Sequence, residues 1–208
     1  AGAAVVVQLH AQIAGSTERF VRNNVTATRR VLEAVRAAGV PFLVHASSSV
    51  VHSVADDDYT RTKKEQERLV ADSGIRCCIL RPTLMFGWFD PKHLGWLARF
   101  MERVPVFPIP GHGRYVRQPL YNRDFCRVVL AVMRSQPAGA VYDLTGPDRV
   151  DYIDMIRTIR DVKGLRTPIV CIPYGLFAVL LRAYALFSRS PPFTAAQLKA
   201  LAAGDEFR

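Results

Sequence analysis

Residues 40–49 have the sequence VPFLVHASSS, an apolar run that ends in three serines. A short apolar run of this kind predicts a β-strand that is buried on both faces, as in a parallel sheet. Residues 59–74, YTRTKKEQERLVADSG, predict a helix that ends at Gly74, and residues 75–82, IRCCILRP, predict another strand that Pro82 stops. Strand, helix and strand in this order predict a βαβ unit with parallel strands.

The same alternation extends upstream. Residues 3–11, AAVVVQLHA, form a continuous apolar run that predicts one more doubly buried strand. Residues 18–39 predict a helix with Gly39 as its C-cap. The apolar residues on one face of that helix are Val25, Val31, Leu32 and Val35. The sequence therefore predicts an α/β fold with a doubly wound parallel sheet.

The composition changes after Gly87. Residues 88–125 are rich in proline, glycine and aromatic residues, which is typical of a separate lobe with irregular structure. The remaining predicted elements are helices at 123–135, 151–164 and 191–207, the last with Thr194 as its N-cap, and a short strand within 140–147. We expect a domain at 1–88 and a smaller, mostly helical lobe at 89–208, with 114–145 returning to the first domain.

Composition excludes several classes of function. The net charge of +10 favours polyanionic ligands, but the basic residues are scattered and lack interleaved aromatic residues, so we expect no nucleic acid. Five histidines without an H-x-x-x-H pattern predict no metal site. Cys77 and Cys78 lie inside an apolar run, where buried free thiols are expected. Together with the lack of a recognisable signal peptide, these thiols predict a cytoplasmic protein.

Residues 172–187, IPYGLFAVLLRAYALF, are the most apolar segment. Sixteen residues that include Arg182 are too few to span a bilayer, which needs about 20. We expect a buried or lid-forming helix here. A peripheral contact of this segment with a membrane surface is the alternative.

Three residue types capable of proton transfer occur in and after the strand at 40–49. Ser47, Ser48 and Ser49 end that strand, and ligands of an open parallel sheet bind beyond the carboxyl ends of its strands. Tyr59 and Lys63 are four residues apart, on one face of the predicted helix. An ammonium near a phenol stabilises the phenolate and lowers the pKa of the tyrosine towards neutral pH. The pattern indicates acid–base chemistry.

A structural explanation has about equal weight on spacing alone. The segment TKKEQER makes a well-solvated helix, with Lys63 and Glu67 at helical spacing and Tyr59 as a half-buried anchor. His10 and His45 are most simply core residues or residues at the edge of a site. Asp124 is expected to cap or pair structurally.

Several segments together resemble the extended short-chain dehydrogenases/reductases of the NAD-dependent epimerase/dehydratase group. Residues 23–34, NNVTATRRVLEA, are similar to the family helix N-x-x-G-T-x-x-L-L-E-A, and residues 47–52, SSSVVH, resemble its S-S-x-x-V-Y-G loop. Tyr59 and Lys63 match Y-x-x-x-K, and residues 80–87, LRPTLMFG, match L-R-P-x-x-x-x-G. The resemblance implies a Rossmann-like domain that binds NAD or NADP.

The resemblance also assigns roles to individual residues. It implies that Ser48, Tyr59 and Lys63 are catalytic, with Lys63 also holding the nicotinamide ribose. The implied cofactor-binding residues are Leu9, His10, Ala11, Asn24, Ser47, Tyr59, Lys63, Pro82 and Leu84. The implied substrate-binding residues are Ser49, His52, Phe86, Arg114 and Arg117. Either arginine would contact a diphosphate, although ordinary surface charge is the competing explanation.

Two features narrow the resemblance. The gap from the serine loop to Tyr59 is shorter than in sugar-nucleotide epimerases. Residues 144–159, 172–187 and 191–201 resemble the branch that contains the nucleotide-binding accessory subunit of respiratory complex I, many members of which bind NADPH without turnover. The family's G-x-x-G-x-x-G loop does not occur in the sequence, so we expect a fragment that lacks the first part of the nucleotide domain. The strand at 3–11 would then be an exposed edge, and we expect copies of the chain to associate through Val5–Leu9, a homodimer among them.

Two functions follow as hypotheses. The first is an NAD(P)-dependent oxidoreductase, epimerase or dehydratase whose small-molecule substrate is a nucleotide sugar or a similar hydroxyl or carbonyl compound. The second is an NADPH-binding scaffold without turnover, attached to a membrane-associated complex through residues 172–187.

Overall fold

The computed structural model describes residues 2–53, 56–88, 90 and 93–187. They form two compact units. Unit 1 consists of Ala1–Thr83 and Asn122–Thr145, and unit 2 consists of Leu84–Tyr121 and Gly146–Arg208. The return to unit 1 therefore begins at 122 and not at 114, because the short strands before Asn122 pair within unit 2. The predicted helix at 191–207 lies outside the described residues.

The strands are β1 (Val6–Gln8), β2 (Leu43–Ala46), β3 (Cys77–Pro82), β4 (Met85–Phe86), β5 (Phe107–Pro110), β6 (Val116–Arg117), β7 (Leu120–Tyr121), β8 (Val141–Leu144), β9 (Val150–Asp151) and β10 (Ile169–Ile172). The helices are α1 (Thr17–Phe20), α2 (Ala27–Ala37), α3 (Asp58–Ala71), α4 (Leu94–Met101), α5 (Asn122–Ser135), α6 (Tyr152–Val162) and α7 (Tyr174–Phe187). A π-helical turn (Val21–Thr26) joins α1 to α2, and a 3-10 turn (Ser49–His52) follows β2.

A four-stranded parallel sheet forms the centre of unit 1, in the order β1-β2-β3-β8. This confirms the predicted α/β fold with a parallel sheet. The middle strands are almost fully buried, as Leu43, Val44 and Leu80 show by having no exposed surface. Strands covered on both faces have no solvent side, which explains why their sequences are continuously apolar.

Strand β1 differs from its prediction in length and burial. Its ladder with β2 covers only three residues, with Val6 opposite Leu43 and Gln8 opposite His45. Val6 and Val7 are partly buried, and Leu9 is 59% exposed. Within the described sheet β1 is an edge strand that pairs with β2 alone, as expected for this strand, and it is shorter than the predicted run 3–11.

The helices of unit 1 begin and end at residues suited to those positions. The side chain of Asp57 caps α3 by accepting a hydrogen bond from the Thr60 N–H (2.7 Å), which satisfies a free donor of the first turn. The continuous helix from α1 to α2 is followed by Gly39 at φ +61°, a conformation that other residues rarely adopt. Helix α3 ends at Ala71 and is followed by Gly74 at φ +72°, so both helices end just before the glycines that the sequence predicts as their ends.

Unit 2 has its own hydrophobic core, made by one side of α4, one side of α6 and strand β5. The buried members are Leu97, Met101, Phe107, Ile109, Tyr115, Tyr152, Met155 and Ile156. Strand β5 pairs with β10 in parallel, and β6 pairs with β9 antiparallel. Helix α7 follows β10, and within the described ranges no helix combines the length and the apolar character needed to cross a bilayer.

The sheet core of unit 1 predicts a clear difference between two leucines. Leu80→Ala removes a side chain with no exposed surface from β3, and should lower the free energy of unfolding by about 2–5 kcal/mol, because lost burial and a residual cavity add together. Leu130→Ala on α5 is the control, since Leu130 is 51% exposed and its loss should cost within about 0.5 kcal/mol. Urea denaturation followed by circular dichroism measures both, and equal losses would contradict this account of the core.

Candidate functional site

Ser48 and Tyr59 meet at the carboxyl end of β2. Ser48 caps the 3-10 turn, where its Oγ accepts a hydrogen bond from the Val50 N–H at 3.3 Å. Tyr59 lies in the first turn of α3, and its ring centroid is 6.5 Å from that of Phe20 on α1. Ser48 lies close enough to Tyr59 for its side chain to lower the pKa of the phenol by hydrogen bonding. Two hydroxyl groups are thereby placed side by side at the sheet edge where ligands of such folds bind.

The electrostatics of Tyr59 differ from the prediction. Burial raises the pKa of Tyr59, the hydrogen bond to Ser48 lowers it by less, and the carboxylate of Asp57 raises it further. The expectation that Lys63 lowers the pKa of Tyr59 is contradicted, because desolvation of the phenolate is the larger effect. Tyr59 is therefore held as a neutral phenol, the form that donates a proton.

Lys63 is a buried lysine. It is 1% exposed, and its Nζ donates to the Ala46 carbonyl (3.0 Å) and to Gln66 Oε1 (2.7 Å). Burial lowers the pKa of Lys63 to about 8, while the carboxylate of Glu67 acts in the opposite direction. The alternative of a solvated helix face is wrong for this residue, and it fits Lys64, which is exposed. Helix α3 turns its Lys63 side towards the sheet.

Asn24 connects the loop after β1 to α3. It has no exposed surface, and its Oδ1 accepts from the Gln12 N–H at 2.6 Å. Its Nδ2 donates to the Gln12 carbonyl (3.1 Å) and to Thr62 Oγ1 (3.0 Å). Thr62 in turn donates to the Asp58 carbonyl at 2.6 Å, in the first turn of α3. Asn24 lies in the π-helical turn, and such turns are frequent at functional sites.

Two histidines lie beside Lys63. His45 on β2 has no exposed surface, and neither of its ring nitrogens has a hydrogen-bond partner among the described residues. Burial first, and then the charges of Lys63 and His10, lower the pKa of His45 to about 3. Burial and Lys63 also lower the pKa of His10, whose buried Nε2 is likewise without a partner in the described part of the chain. Both rings are therefore neutral at pH 7.

A second polar cluster is formed by Ser47, His52, Glu67, Arg81 and Asp143. Ser47 Oγ donates to Glu67 Oε2 (2.6 Å), and Glu67 accepts two bonds from Arg81 Nε (3.0 and 3.2 Å) as well as a shorter one from its Nη2. His52 Nε2 is 3.0 Å from Asp143 Oδ1 and 3.3 Å from Arg81 Nη1. Ser47 and His52 thus have protein partners in this cluster, and they stay predicted ligand contacts.

This cluster borders an open cavity of about 300 Å³. Its lining residues are Val51, His52, Lys64, Glu67, Arg68, Ala71 and Arg81. Sequence reasoning missed Glu67, Arg81 and Asp143 as partners. The available signal was the spacing of Glu67 four residues after Lys63, which placed both residues on one face of α3.

The other predicted cofactor residues are spread over both units. Ala11 is exposed in the loop after β1, and Pro82 is buried at the end of β3. Ser49 is partly buried in the 3-10 turn. Leu84 belongs to unit 2, where it packs against that unit's hydrophobic core.

The remaining predicted substrate residues belong to unit 2. The ring of Phe86 lies 5.5 Å from that of Tyr121, centroid to centroid. Arg114 is exposed, whereas Arg117 is only 5% exposed. Burial raises the pKa of Tyr152, and the charge of Arg117 acts against that shift, which places this arginine near the phenol. Arg117 is thus a buried cation, unlike an ordinary surface charge.

Comparison with known proteins identifies the sequence family. Residues 3–144 match the NAD dependent epimerase/dehydratase family. The chain is 23% identical over 208 residues to the uncharacterized protein YbjS of Escherichia coli, with 86% of this chain and 62% of YbjS covered. It is 27% identical over 175 residues to the ceramide reductase of Caulobacter vibrioides, with 83% and 54% covered. The chain therefore spans 54–62% of the length of these curated relatives.

Solved structures show the same fold. One similar structure is UDP-glucuronic acid 4-epimerase from Bacillus cereus in complex with NAD, with a TM-score of 0.69 and 21% sequence identity. The match covers 95% of this chain and 72% of that chain. At this level of identity the likeness establishes a shared fold.

The buried, neutral His45 makes folding stability depend on pH. Its pKa is about 3 in the folded protein and near 6.5 when unfolded, so between these values only the unfolded chain takes up the proton. The free energy of unfolding should therefore fall as pH decreases below 6.5, with a contribution from His45 that approaches about 1.4 kcal/mol per pH unit. His45→Leu should remove this contribution, as measured by urea denaturation at pH 7, 6 and 5.

Val44→Ala in the same strand provides the control. It removes a buried side chain without an ionisable group, so it should lower the free energy of unfolding by a similar amount at all three pH values. An unchanged slope in His45→Leu would show that His45 is not kept neutral by burial.

Proposed function

The chain belongs to the NAD dependent epimerase/dehydratase family, and we propose that it acts as an NAD(P)-dependent oxidoreductase, epimerase or dehydratase. Its substrate is a nucleotide sugar or a similar compound with a reactive hydroxyl or carbonyl group. The observation that carries this proposal is the placement of Ser48 beside Tyr59, with Lys63 buried one helical turn further along α3.

Relatives support the substrate class in general terms. The similar structure from Bacillus cereus is a UDP-glucuronic acid 4-epimerase with NAD, and the Caulobacter relative is a ceramide reductase. The two substrates differ greatly, but both enzyme names describe chemistry at an alcohol or a carbonyl. The proposal concerns the whole protein, since the chain spans 54–62% of its curated relatives.

The buried polar atoms near Lys63 fit the ribose end of a nicotinamide dinucleotide. An ammonium has three N–H donors, and the two bonds of Lys63 to Ala46 and Gln66 leave one for a ribose hydroxyl. The buried Nε2 of His10 is without a partner among the described residues and lies in the loop after β1, beyond the carboxyl end of that strand. When bound, the nicotinamide accepts a hydride from the substrate carbon or returns one to it.

The side chains of the site would move the accompanying proton. The Ser48 hydroxyl would hold the substrate oxygen beside the phenol of Tyr59. In the reductive direction, the neutral phenol donates its proton to the carbonyl oxygen as the alcohol forms. In the oxidative direction, the phenolate accepts the proton of the alcohol.

A binding function without turnover is the second candidate. It is favoured by the raised pKa of Tyr59, because a phenol that resists ionisation is a poor base. It is also favoured by the exposed apolar side chains Leu176, Val179 and Leu180 of α7, which are 49–59% exposed. In this candidate the chain holds NADPH within a membrane-associated complex, with residues 172–187 as the contact.

The proton-transfer role of Tyr59 is tested by removing one oxygen atom. Tyr59→Phe should lower turnover of a candidate nucleotide sugar at least about 100-fold, the usual contribution of a general acid, while the Kd for NADPH stays within about twofold. Absorbance of the reduced nicotinamide measures turnover, and fluorescence quenching measures binding. Lys63→Ala should weaken both, because the lysine also contacts the ribose.

Tyr142→Phe is the control, since Tyr142 is a 43% exposed tyrosine on β8 of the same unit. It should behave like the wild type in both assays. Wild-type binding of NADPH without turnover of any tested substrate would favour the scaffold, and full activity of Tyr59→Phe would remove the phenol from the mechanism.

The arginines of unit 2 are tested by their effect on KM. If Arg117 or Arg114 contacts the diphosphate of a nucleotide sugar, its replacement by alanine should raise KM by about 10- to 100-fold, since a charge-assisted hydrogen bond contributes about 1.5–3 kcal/mol. Arg157→Ala serves as the control, because Arg157 is a 53% exposed arginine that pairs with Asp154 on α6. Unchanged KM values in both single variants would show that neither arginine contacts the diphosphate. The two arginines would then have a structural role or contribute only surface charge.

A further inference from the structure

Lys63 stands at the end of a chain of buried polar side chains that runs through the core of unit 1. Gln66 and Thr28 have no exposed surface, Lys63 is 1% exposed and Gln8 is 3% exposed. Gln66 Nε2 donates to Thr28 Oγ1 at 2.8 Å, and Gln8 Nε2 donates to the same oxygen at 2.7 Å. The chain therefore links β1, α2 and α3 and ends at the ammonium.

The chemistry of the partners fixes the orientation of the Gln66 amide. An ammonium carries only donors, so the amide oxygen and not the amide nitrogen must face Lys63. The observed contact is Lys63 Nζ to Gln66 Oε1 at 2.7 Å. With the oxygen in that position, the nitrogen points to Thr28 and is satisfied there. If the amide were rotated by 180°, its NH₂ group would face the Lys63 ammonium. Two buried donor groups would then lie together without an acceptor, which lowers stability.

We propose that Gln66 is a positioning residue for Lys63, held in place by Thr28 and Gln8, and that it aims the ammonium at the ribose of the cofactor. This inference rests on the proposed function. With Gln66 and the Ala46 carbonyl each accepting one N–H, the direction of the third N–H is set. Without Gln66, Lys63 would keep one fixed contact and gain rotational freedom.

Gln66 also stabilises the charged form of Lys63. Burial works against the ammonium, and the carboxylate of Glu67 on the same helix favours it. The nearby rings of His45 on β2 and His10 after β1 are neutral at pH 7. Tyr59, one turn earlier on α3, is neutral in the structure. Among these neighbours Gln66 supplies an acceptor oxygen in direct contact, so its loss should favour the neutral amine.

Carbon-13 NMR of lysine side chains tests the inference directly, because the chain has only five lysines. In wild type, the Lys63 signal should titrate with a midpoint near 8. In Gln66→Leu, the midpoint should move down by about one pH unit, as expected from the loss of one hydrogen bond to a charged group. The Kd for NADPH should rise about tenfold, with kcat affected less than KM.

Two further variants complete the test. Glutamate has nearly the same shape as glutamine and retains an acceptor oxygen, so Gln66→Glu should fold. Its negative charge should raise the midpoint of the Lys63 titration. Val70→Ala removes a buried apolar side chain from the same helix, and should lower stability without moving the midpoint. A midpoint and a Kd that are unchanged in folded Gln66→Leu, or a midpoint that does not rise in Gln66→Glu, would overturn the proposal.

The titration also separates this inference from the proposed function. The NMR midpoints are measured without cofactor or substrate, so they report on Gln66 even if the wild type neither binds NADPH nor turns over. Failure of wild-type binding would refute the proposed function, whereas unmoved midpoints would refute the role of Gln66.

Discussion

Burial of the Lys63 ammonium is the constraint on which the candidate site depends. A charged group removed from water is stable only where acceptors replace its hydration, and here the Ala46 carbonyl and Gln66 Oε1 do so. The first acceptor belongs to β2 and the second to α3, so the ammonium fixes how this helix lies on the sheet. Tyr59 is on the same helix, and its place beside Ser48 follows from that alignment.

Much of the fold of unit 1 could be predicted from the sequence. The apolar runs of β2 and β3 predict buried strands, and the glycines after α2 and α3 predict helix ends. These features are local, so they can be recognised in the sequence without knowledge of the tertiary structure. The positions of Ser48 after β2 and of Tyr59 and Lys63 on α3 could also be predicted once a strand and a helix were assigned, whereas the catalytic roles of the three residues stay predictions. The short strand pairs of unit 2 were not predicted, since two residues are too few to show a period.

The partners of the site residues could not be predicted. Gln66 and Thr28 are 38 residues apart, and a glutamine within TKKEQER looks like part of a solvated face. The direction of the Tyr59 pKa was also missed, because it depends on how completely the phenol is buried, which spacing does not reveal. Tertiary packing decides which polar residues are buried. The periodic pattern of an amphipathic helix by itself predicts that its polar residues face solvent.

The π-helical turn between α1 and α2 gives this helix two adjacent buried residues. The stripe of buried residues with the ordinary α-helical spacing of three and four consists of Phe20, Asn24, Thr28, Leu32 and Val35. Val25 is buried as well, directly beside Asn24 within the π-helical turn. The turn thus carries an apolar and a polar residue into the interior together. The polar one, Asn24, is the residue whose amide joins the loop after β1 to α3.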